Sequence, residues 1–439
     1  MTFYSFRLVV TYLMLCFLLL ACNRVQPANN MGKTVFIKNE NGKYTLYRNG
    51  KPFFVKGAAG YTNLKRLKEA GGNTIRVWDT LHLANILDSA QANNLAVIVG
   101  LPMPPSLKMD EFYNTPQAAI VTKKITSLIN KYKNHPALLC WCLGNELSFP
   151  IRPRFNQFYT IFNNLVDVIH HDDPQHPVTT TTVGFQKEDI FNIQHRTPVD
   201  FISFNIFGSI QTLKQNLQDF KWLWSGPFLI TEWSVEGPWV AGSQNIWGAY
   251  VEDSSTKKAE QYLAIYRNYM PVDNPRFLGS MVFYWGQKQE LTPTWFSLFD
   301  EQGAQTEAVN AMQYLWTGKK APMKAPDIKY MLVNNKGGHD NILFSPKTTT
   351  FAVAYMNEPD TAKLTYKWKL FAEDWFKPNG IFGEKPLKNI KDAFTENNGP
   401  VAKFKVPESE GPYRLYVYVY NNTGYFATAN VPFYVLNNP

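Results

Sequence analysis

Short, uninterrupted hydrophobic runs alternate with longer amphipathic stretches along most of this chain. The runs are "FFVKGA", "NTIRVW", "LAVIVGLPM", "ALLCWCLGNE", "PVTTTTVG", "VDFISFNIFG", "GPFLITEWS" and "FLGSMVFYWG". Between them lie stretches with helical periodicity, such as "LKRLKEAGG", "HLANILDSAQANN", "PQAAIVTKKITSLINKYKNH" and "FNQFYTIFNNLVDVIHHDD". A fully apolar strand is one buried on both faces, and strands of that kind separated by helices predict a parallel sheet. Eight such units over roughly 250–290 residues predict a closed (β/α)8 barrel, an α/β TIM barrel. An open doubly wound sheet needs no eighth strand and usually carries a Gly-rich phosphate turn, which does not follow the first strand here. Ahead of the barrel, Asn41-Gly42 and Asn49-Gly50 are strong hairpin signals within "TVFIKNENGKYTLYRNGKPFFVKGAAGY".

The pattern changes after "TEAVNAMQYLWTG", a last helix stopped by Gly318, and the Pro-punctuated "KKAPMKAPD". From about Ile328 the period becomes two, as in "VAKFKV" and "YRLYVYVYNNTGYFATANVPFYV", which predicts a small all-β sandwich of immunoglobulin or fibronectin type. At the other end, "MTFYSFRLVVTYLMLCFLLLAC" has the length and charge of a signal peptide. Its Ala21-Cys22 ending resembles a bacterial lipobox, in which the Cys is lipidated. The expected plan is therefore residues 1–22 as a lipoprotein signal with Cys22 as lipid site, 23–32 a tether, 33–318 the barrel, 319–327 a linker and 328–439 the sandwich. That plan implies a membrane-anchored bacterial lipoprotein, on the periplasmic or cell-surface side of an outer membrane.

Composition narrows the picture. The net charge of +9 is spread along the chain without a long block of like charge, which argues against nucleic acid as a partner. Of the 4 Cys, Cys16 leaves with the signal, and Cys140 and Cys142 sit on one face of a strand, where a disulfide has poor geometry. Both are expected as buried thiols. Aromatics make up 15% of the chain, with 12 Trp.

In a β/α barrel the chemistry sits at the C-terminal ends of the strands. Those ends carry Arg76 with Asp79, Asn145-Glu146, Asn205, Glu232-Trp233 and Trp285. Glu146 and Glu232, on the fourth and seventh strands, would meet across one rim. Two carboxylates facing one pocket are the equipment for cleaving a glycosidic bond, one giving a proton and the other staying charged.

The combination resembles a known family. "KNHPALLCWCLGNE" is similar to the fourth-strand signature of the retaining clan A barrel glycosidases, particularly glycoside hydrolase family 2. "FLITEWS" resembles their seventh-strand nucleophile motif, "NTIRVW" their second-strand motif and "MVFYWG" their eighth-strand Trp. The resemblance covers about Lys38 to Gly318. It implies Glu146 as general acid/base, Glu232 as nucleophile and Asn145 as partner of the sugar 2-hydroxyl. Arg76 would hold Glu232 ionised, and Trp285 would floor the pocket. Asn205, Trp233 and Trp239 complete the expected substrate-binding set, with Trp239 as a loop platform. Double displacement of this kind needs no cofactor and no metal. Many clan A members place a Tyr beside the nucleophile after the sixth strand; here Phe207 stands there, so Tyr284 or Asn205 is expected to supply the hydrogen bond.

A barrel with a trailing β module and no β-sandwich read ahead of it looks like relatives active on glucans or mannans. A β-glucan, β-1,3-linked as first choice, is the expected substrate. Two alternatives stand beside this: a non-catalytic glycan-binding protein on a glycosidase-like barrel, and a transglycosylase. Simpler readings attach to other residues. Glu146 could be paired with Arg76 for structure, and Asp79 and Glu236 are rival carboxylates. His170-His171-Asp172-Asp173 reads as a solvated helix end, His135 and His176 as structural, and Tyr416, Tyr418 and Tyr420 as one face of a strand.

Overall fold

The computed structural model describes residues 32–104, 116–153, 156–239, 242, 244–357, 363–373 and 387–437. The signal segment, Cys22 and most of the tether lie outside the described residues. Thr34–Pro439 is one compact unit. Among the described residues no helix is long and apolar enough to cross a membrane.

The chain enters through a three-stranded antiparallel sheet, β1 (Val35–Glu40), β2 (Lys43–Arg48) and β3 (Lys51–Pro52). Its two turns place Asn41 and Gly42, then Asn49 and Gly50, at positive φ, the conformation that Asn-Gly hairpin turns require. Eight strands then close into a barrel: β4 (Val55–Ala59), β5 (Thr74–Val77), β6 (Ala96–Leu101), β7 (Leu138–Leu143), β8 (Val178–Val183), β9 (Phe201–Asn205), β10 (Phe228–Trp233) and β11 (Phe277–Val282). Each pairs in parallel with its neighbour, and β11 returns to β4. All eight hydrophobic runs are barrel strands, because side chains on both faces are buried, inward among the strands and outward under the helices. Val55, Ala96, Ile98, Cys140, Cys142 and Met281 pack together, while Val97, Val99, Trp141 and Phe204 join the larger outer cluster with the helices. Cys140 and Cys142 are free and buried, and burial raises both thiols.

After the helix Glu307–Thr317, closed by Gly318 in the left-handed conformation, two four-stranded sheets form the C-terminal sandwich. Their orders are β12 (Ile328–Val333), β14 (Thr349–Met356), β17 (Val401–Lys405), β16 (Phe394–Glu396), and β13 (Leu343–Phe344), β19 (Phe426–Val435), β18 (Gly411–Tyr420), β15 (Thr365–Ala372). Strand β18 is apolar on both faces. Leu415, Val417 and Val419 fill the sandwich core, whereas Tyr416 and Tyr418 pack with Phe371, Phe426 and Ala304.

The sandwich is bonded to the barrel. Backbone N–H groups of Gln305 and Phe426 donate to Gly424 O and Gln305 O at 3.0 Å each. The Tyr420 hydroxyl donates to Asp300 Oδ2 at 2.9 Å. Arg414, 1% exposed, pairs with Glu373 and donates to Asn430 Oδ1 and the carbonyl of Tyr250, both at 2.6 Å. Asn430 in turn donates to Glu252, which also holds Lys258. Removing one member of a buried ion pair strands the other, at a cost of about 3–5 kcal/mol. Arg414→Ala is therefore expected to lower the unfolding free energy by that amount, read as a lower urea midpoint at unchanged slope; an unmoved midpoint would show that this network does not hold the two parts together.

Candidate active site

Strand β7 is followed by Gly144 at φ +74, a left-handed conformation that favours glycine. Glu146 follows at φ 55, an uncommon conformation for a residue with a side chain. The Thr181 hydroxyl on β8 fixes this turn, accepting from the Glu146 backbone N–H at 3.0 Å and donating to Asn145 Oδ1 at 3.2 Å. The turn leaves Glu146 half-buried at the rim rather than sunk in the core.

Opposite it, β10 carries an irregularity in its pairing between Ile230 and Glu232. A bulge of this kind breaks the in-out alternation. Thr231 and Glu232 both face inward: the Thr231 hydroxyl donates to Asn205 Oδ1 at 2.9 Å, and Glu232 meets residues of β5 and β9. Glu232 Oε1 accepts from Arg76 Nη1 at 2.5 Å, Trp78 Nε1 at 2.7 Å and Asn205 Nδ2 at 2.9 Å.

Asn205 ties the constellation together. Its oxygen accepts from Thr231 Oγ1 and Arg76 Nη1, which turns its amide nitrogen toward the carboxylates. That nitrogen lies 2.9 Å from Glu146 Oε1 and 2.9 Å from Glu232 Oε1. Those two carboxylate oxygens are therefore no more than twice 2.9 Å apart. Asn145 joins through its oxygen, which accepts from Arg76 Nη2 at 2.6 Å and from Asn205 Nδ2 at 3.1 Å.

Glu232 is 5% exposed. Burial pushes its carboxyl up to about 7; Arg76 and the Trp78 N–H pull it down, and the neighbouring Glu146 adds to the rise. Arg76 was expected to hold Glu232 ionised by lowering its carboxyl; the net shift is upward. The ion pair is present, but desolvation of a nearly enclosed carboxylate outweighs it.

Of the expected residues, Arg76, Asn145, Glu146, Asn205 and Glu232 come together, and Trp239 stands at the same rim. Trp239 is 57% exposed, edge-on to Phe207 at 5.4 Å and tilted against Phe296 at 5.9 Å. Two residues are elsewhere. Trp233 is fully buried on the outer side of the barrel against Tyr262 and Tyr266 of the helix Ser255–Tyr269, because the bulge gives Glu232 the inward place. Trp285 is also fully buried, against Phe299 and Trp316, with its N–H directed at Asn63 O. The aromatics at the end of β11 that reach the site are Phe283, edge-on to Trp78 at 5.9 Å and to Phe207 at 5.7 Å, and Tyr284, stacked on Trp78 at 5.9 Å.

The hydrogen bond that Phe207 cannot give comes from Asn205, as expected, and from Trp78, which the sequence reading missed. The signal for Trp78 was its place two residues after Arg76, the spacing that keeps a strand side chain on one face. Arg76 reaches Glu232, Asn205 and Asn145, so a structural pairing with Glu146 does not account for that residue. Asp79 accepts from the Leu81 N–H, and Glu236 from Gln211 at the surface. Asp173 and His176 pair with each other under Trp141, and His170 pairs with Asp200. Among the described residues no group of His, Cys, Asp and Glu is arranged to hold a metal ion.

Residues 77–262 match the family model "Glycosyl hydrolases family 2, TIM barrel domain". No curated protein matches the chain in sequence. Solved structures with a similar fold include an endo-β-1,4-mannanase from Thermotoga petrophila, at 14% identity and TM-score 0.45 over 89% of this chain and 99% of that one. A Bifidobacterium dentium β-glucuronidase aligns at 17% identity and TM-score 0.50 over 65% of this chain and 49% of its own. A calcium-binding mutant of Bacteroides uniformis β-glucuronidase 2 aligns at 15% and 0.50 over 92% and 48%. The chain thus spans about half the length of the two glucuronidases. At these identities the likeness is one of fold.

Proposed function

Starting from a barrel that carries the family 2 glycosyl hydrolase domain, we propose that the chain is a retaining β-glycoside hydrolase acting on a β-linked glycan by double displacement. The observation that carries this reading is the single Asn205 nitrogen within 2.9 Å of both Glu146 and Glu232. Retaining enzymes hold their carboxyls about 5–5.5 Å apart and inverting ones about 6.5–9.5 Å, the larger gap leaving room for water. A limit of twice 2.9 Å supports the shorter class.

The roles follow from surroundings. Glu232, gripped by three donors and nearly enclosed, is held in one orientation, as a nucleophile must be to attack the anomeric carbon. Glu146, at the mouth and more exposed, is placed to protonate the leaving oxygen and later to deprotonate water. Both steps conserve protons: Glu146 gives its proton to the departing alcohol and regains one from the water that releases the sugar from Glu232. Asn145, its oxygen occupied by Arg76, Thr181 and Asn205, has its amide N–H groups left to meet a sugar hydroxyl. Trp239 offers an exposed face to the C–H side of a sugar ring. The lipid anchor at Cys22 would hold this activity at a bacterial membrane, a proposal that rests on the Ala21-Cys22 motif.

A panel of aryl β-glycosides and of β-glucans, mannans and galactans tests the reading, with β-1,3-glucan expected first among polymers. Turnover of nothing on the panel, with binding retained, would favour a glycan-binding protein instead. Products longer than the substrate at high acceptor concentration would mark a transglycosylase.

The pH profile is a second test. The nucleophile must be ionised, and its folded-state pKa lies near 7. Ionisation of Glu232 is therefore expected to set an acid limb in kcat/KM, opposed at higher pH by the need for a proton on the general acid. Trp78→Phe deletes a donor to the charged form, so its acid limb should move to higher pH and the loss should be greater at pH 6 than at pH 8. Equal losses at both would mean that the Trp78 N–H does not act on the nucleophile.

A further inference from the structure

Between the loop that follows β11 and the sandwich lies a cleft of about 210 Å³. It is smaller than the roughly 300–1,000 Å³ of pockets for drug-sized molecules, and holds a single ring rather than a chain. Gln287, Gln289 and Gln302 line it from the barrel side, and Lys369, Tyr418 and Phe426 from the sandwich side. Amides from the barrel and an ammonium from the sandwich converge on the cleft, donors and acceptors that suit the hydroxyls of a sugar, over the nearly buried rings of Tyr418 and Phe426. The Lys369 ammonium stands 4.8 Å from the Tyr418 ring.

The cleft adjoins the active site. Lys288 lines it and pairs with Glu290, and the Lys288 ammonium is 5.5 Å from the ring of Phe283, the inward aromatic beside Trp78. One short loop thus meets Phe283, beside the site, on one side and the sandwich on the other.

Both walls are fixed. The loop is closed on itself by the Lys288 N–H donating to Ser297 Oγ at 2.9 Å and tied down by Thr292, whose hydroxyl donates to Glu252 outside it at 2.6 Å. Glu252 is the carboxylate that Asn430 of the sandwich reaches. Asp300, at the far end of the loop, accepts from Tyr420. A wall held by buried hydrogen bonds costs little ordering when a ligand arrives.

We propose that this cleft is a distal subsite for one sugar unit of a longer glycan whose scissile bond lies between Glu146 and Glu232. The proposal rests on the glycosidase reading above. It makes the sandwich a working wall of the substrate cleft, and it commits the enzyme to substrates of several units.

The double variant Gln289→Ala, Lys369→Ala tests it. Both side chains are half-exposed, so folding should survive, and an unchanged thermal midpoint confirms that. The quantity to compare is kcat/KM on a ladder of oligosaccharides, relative to kcat/KM on an aryl monoglycoside. The expected result is about a tenfold loss on the longest oligomers, corresponding to about 1.4 kcal/mol, with the aryl monoglycoside rate unchanged. A loss of the same size on every substrate, or none on any, would overturn the subsite. Because the aryl monoglycoside reports the catalytic pair alone, that outcome leaves the hydrolase reading standing, whereas a wild type inert toward the monoglycoside and toward every oligosaccharide of the ladder contradicts the reading itself. A crystal of Glu146→Gln soaked with the oligosaccharide gives an independent answer: density beside Lys369 supports the subsite, and a bound chain pointing elsewhere refutes it.

Discussion

Glu232→Ala is expected to lower turnover on the order of 10⁴- to 10⁶-fold, the range seen when a covalent nucleophile is deleted. The loss has two sources: the glycosyl-enzyme intermediate cannot form, and the Arg76 guanidinium is left facing the sugar without its counter-charge. Glu232→Gln separates them, because it keeps the shape and loses the attack. Azide should restore part of the rate to Glu232→Ala on a substrate with an activated leaving group, since the alanine leaves room for a small anion on the nucleophile's side of the ring. The azide product should have the α configuration, opposite to the substrate. Full activity in Glu232→Gln would remove the nucleophile from the account.

Glu146→Ala should behave differently, and the contrast is as informative as either loss. Proton transfer by a positioned carboxyl contributes about 10²–10⁴-fold, so natural glycans should suffer by that factor. A dinitrophenyl glycoside needs no proton on its leaving group, so its first step should proceed almost normally and the intermediate should accumulate. KM should fall with kcat for that substrate, and azide should release a β-glycosyl azide, of retained configuration. If dinitrophenyl and natural substrates lose rate equally, Glu146 is not the acid.

Most of the architecture was legible in the chain. Eight hydrophobic runs gave eight strands because each is buried on both faces, which leaves no polar alternation to confuse with a surface strand. The change of period near Ile328 marked the start of β12 for the converse reason, since strands such as β14 and β17 bury one face and expose the other. The two glutamates were legible because a bare carboxylate at the end of an apolar strand is costly unless it has work to do.

What the sequence did not reveal depends on the third dimension. The β10 bulge is a property of pairing with β9 and β11, and it decides that Glu232 rather than Trp233 enters the barrel. "Trp at a strand end" gave no hint that Trp285 packs outward on Phe299 and Trp316 while Phe283 turns in. The pKa direction of Glu232 was missed because a pairing partner is visible in sequence and the depth of burial is not. Asn205 was named as a binding residue, but its part as the shared donor between both carboxylates required their positions.

The central claim is that the two carboxylates lie close enough for Glu232 to attack the anomeric carbon itself, with no water between it and the sugar. The anomeric configuration of the first-formed product, followed by proton NMR within the first minutes of hydrolysis, tests it most directly. The account predicts that the β-anomer appears first and mutarotates afterwards. First release of the α-anomer would contradict it.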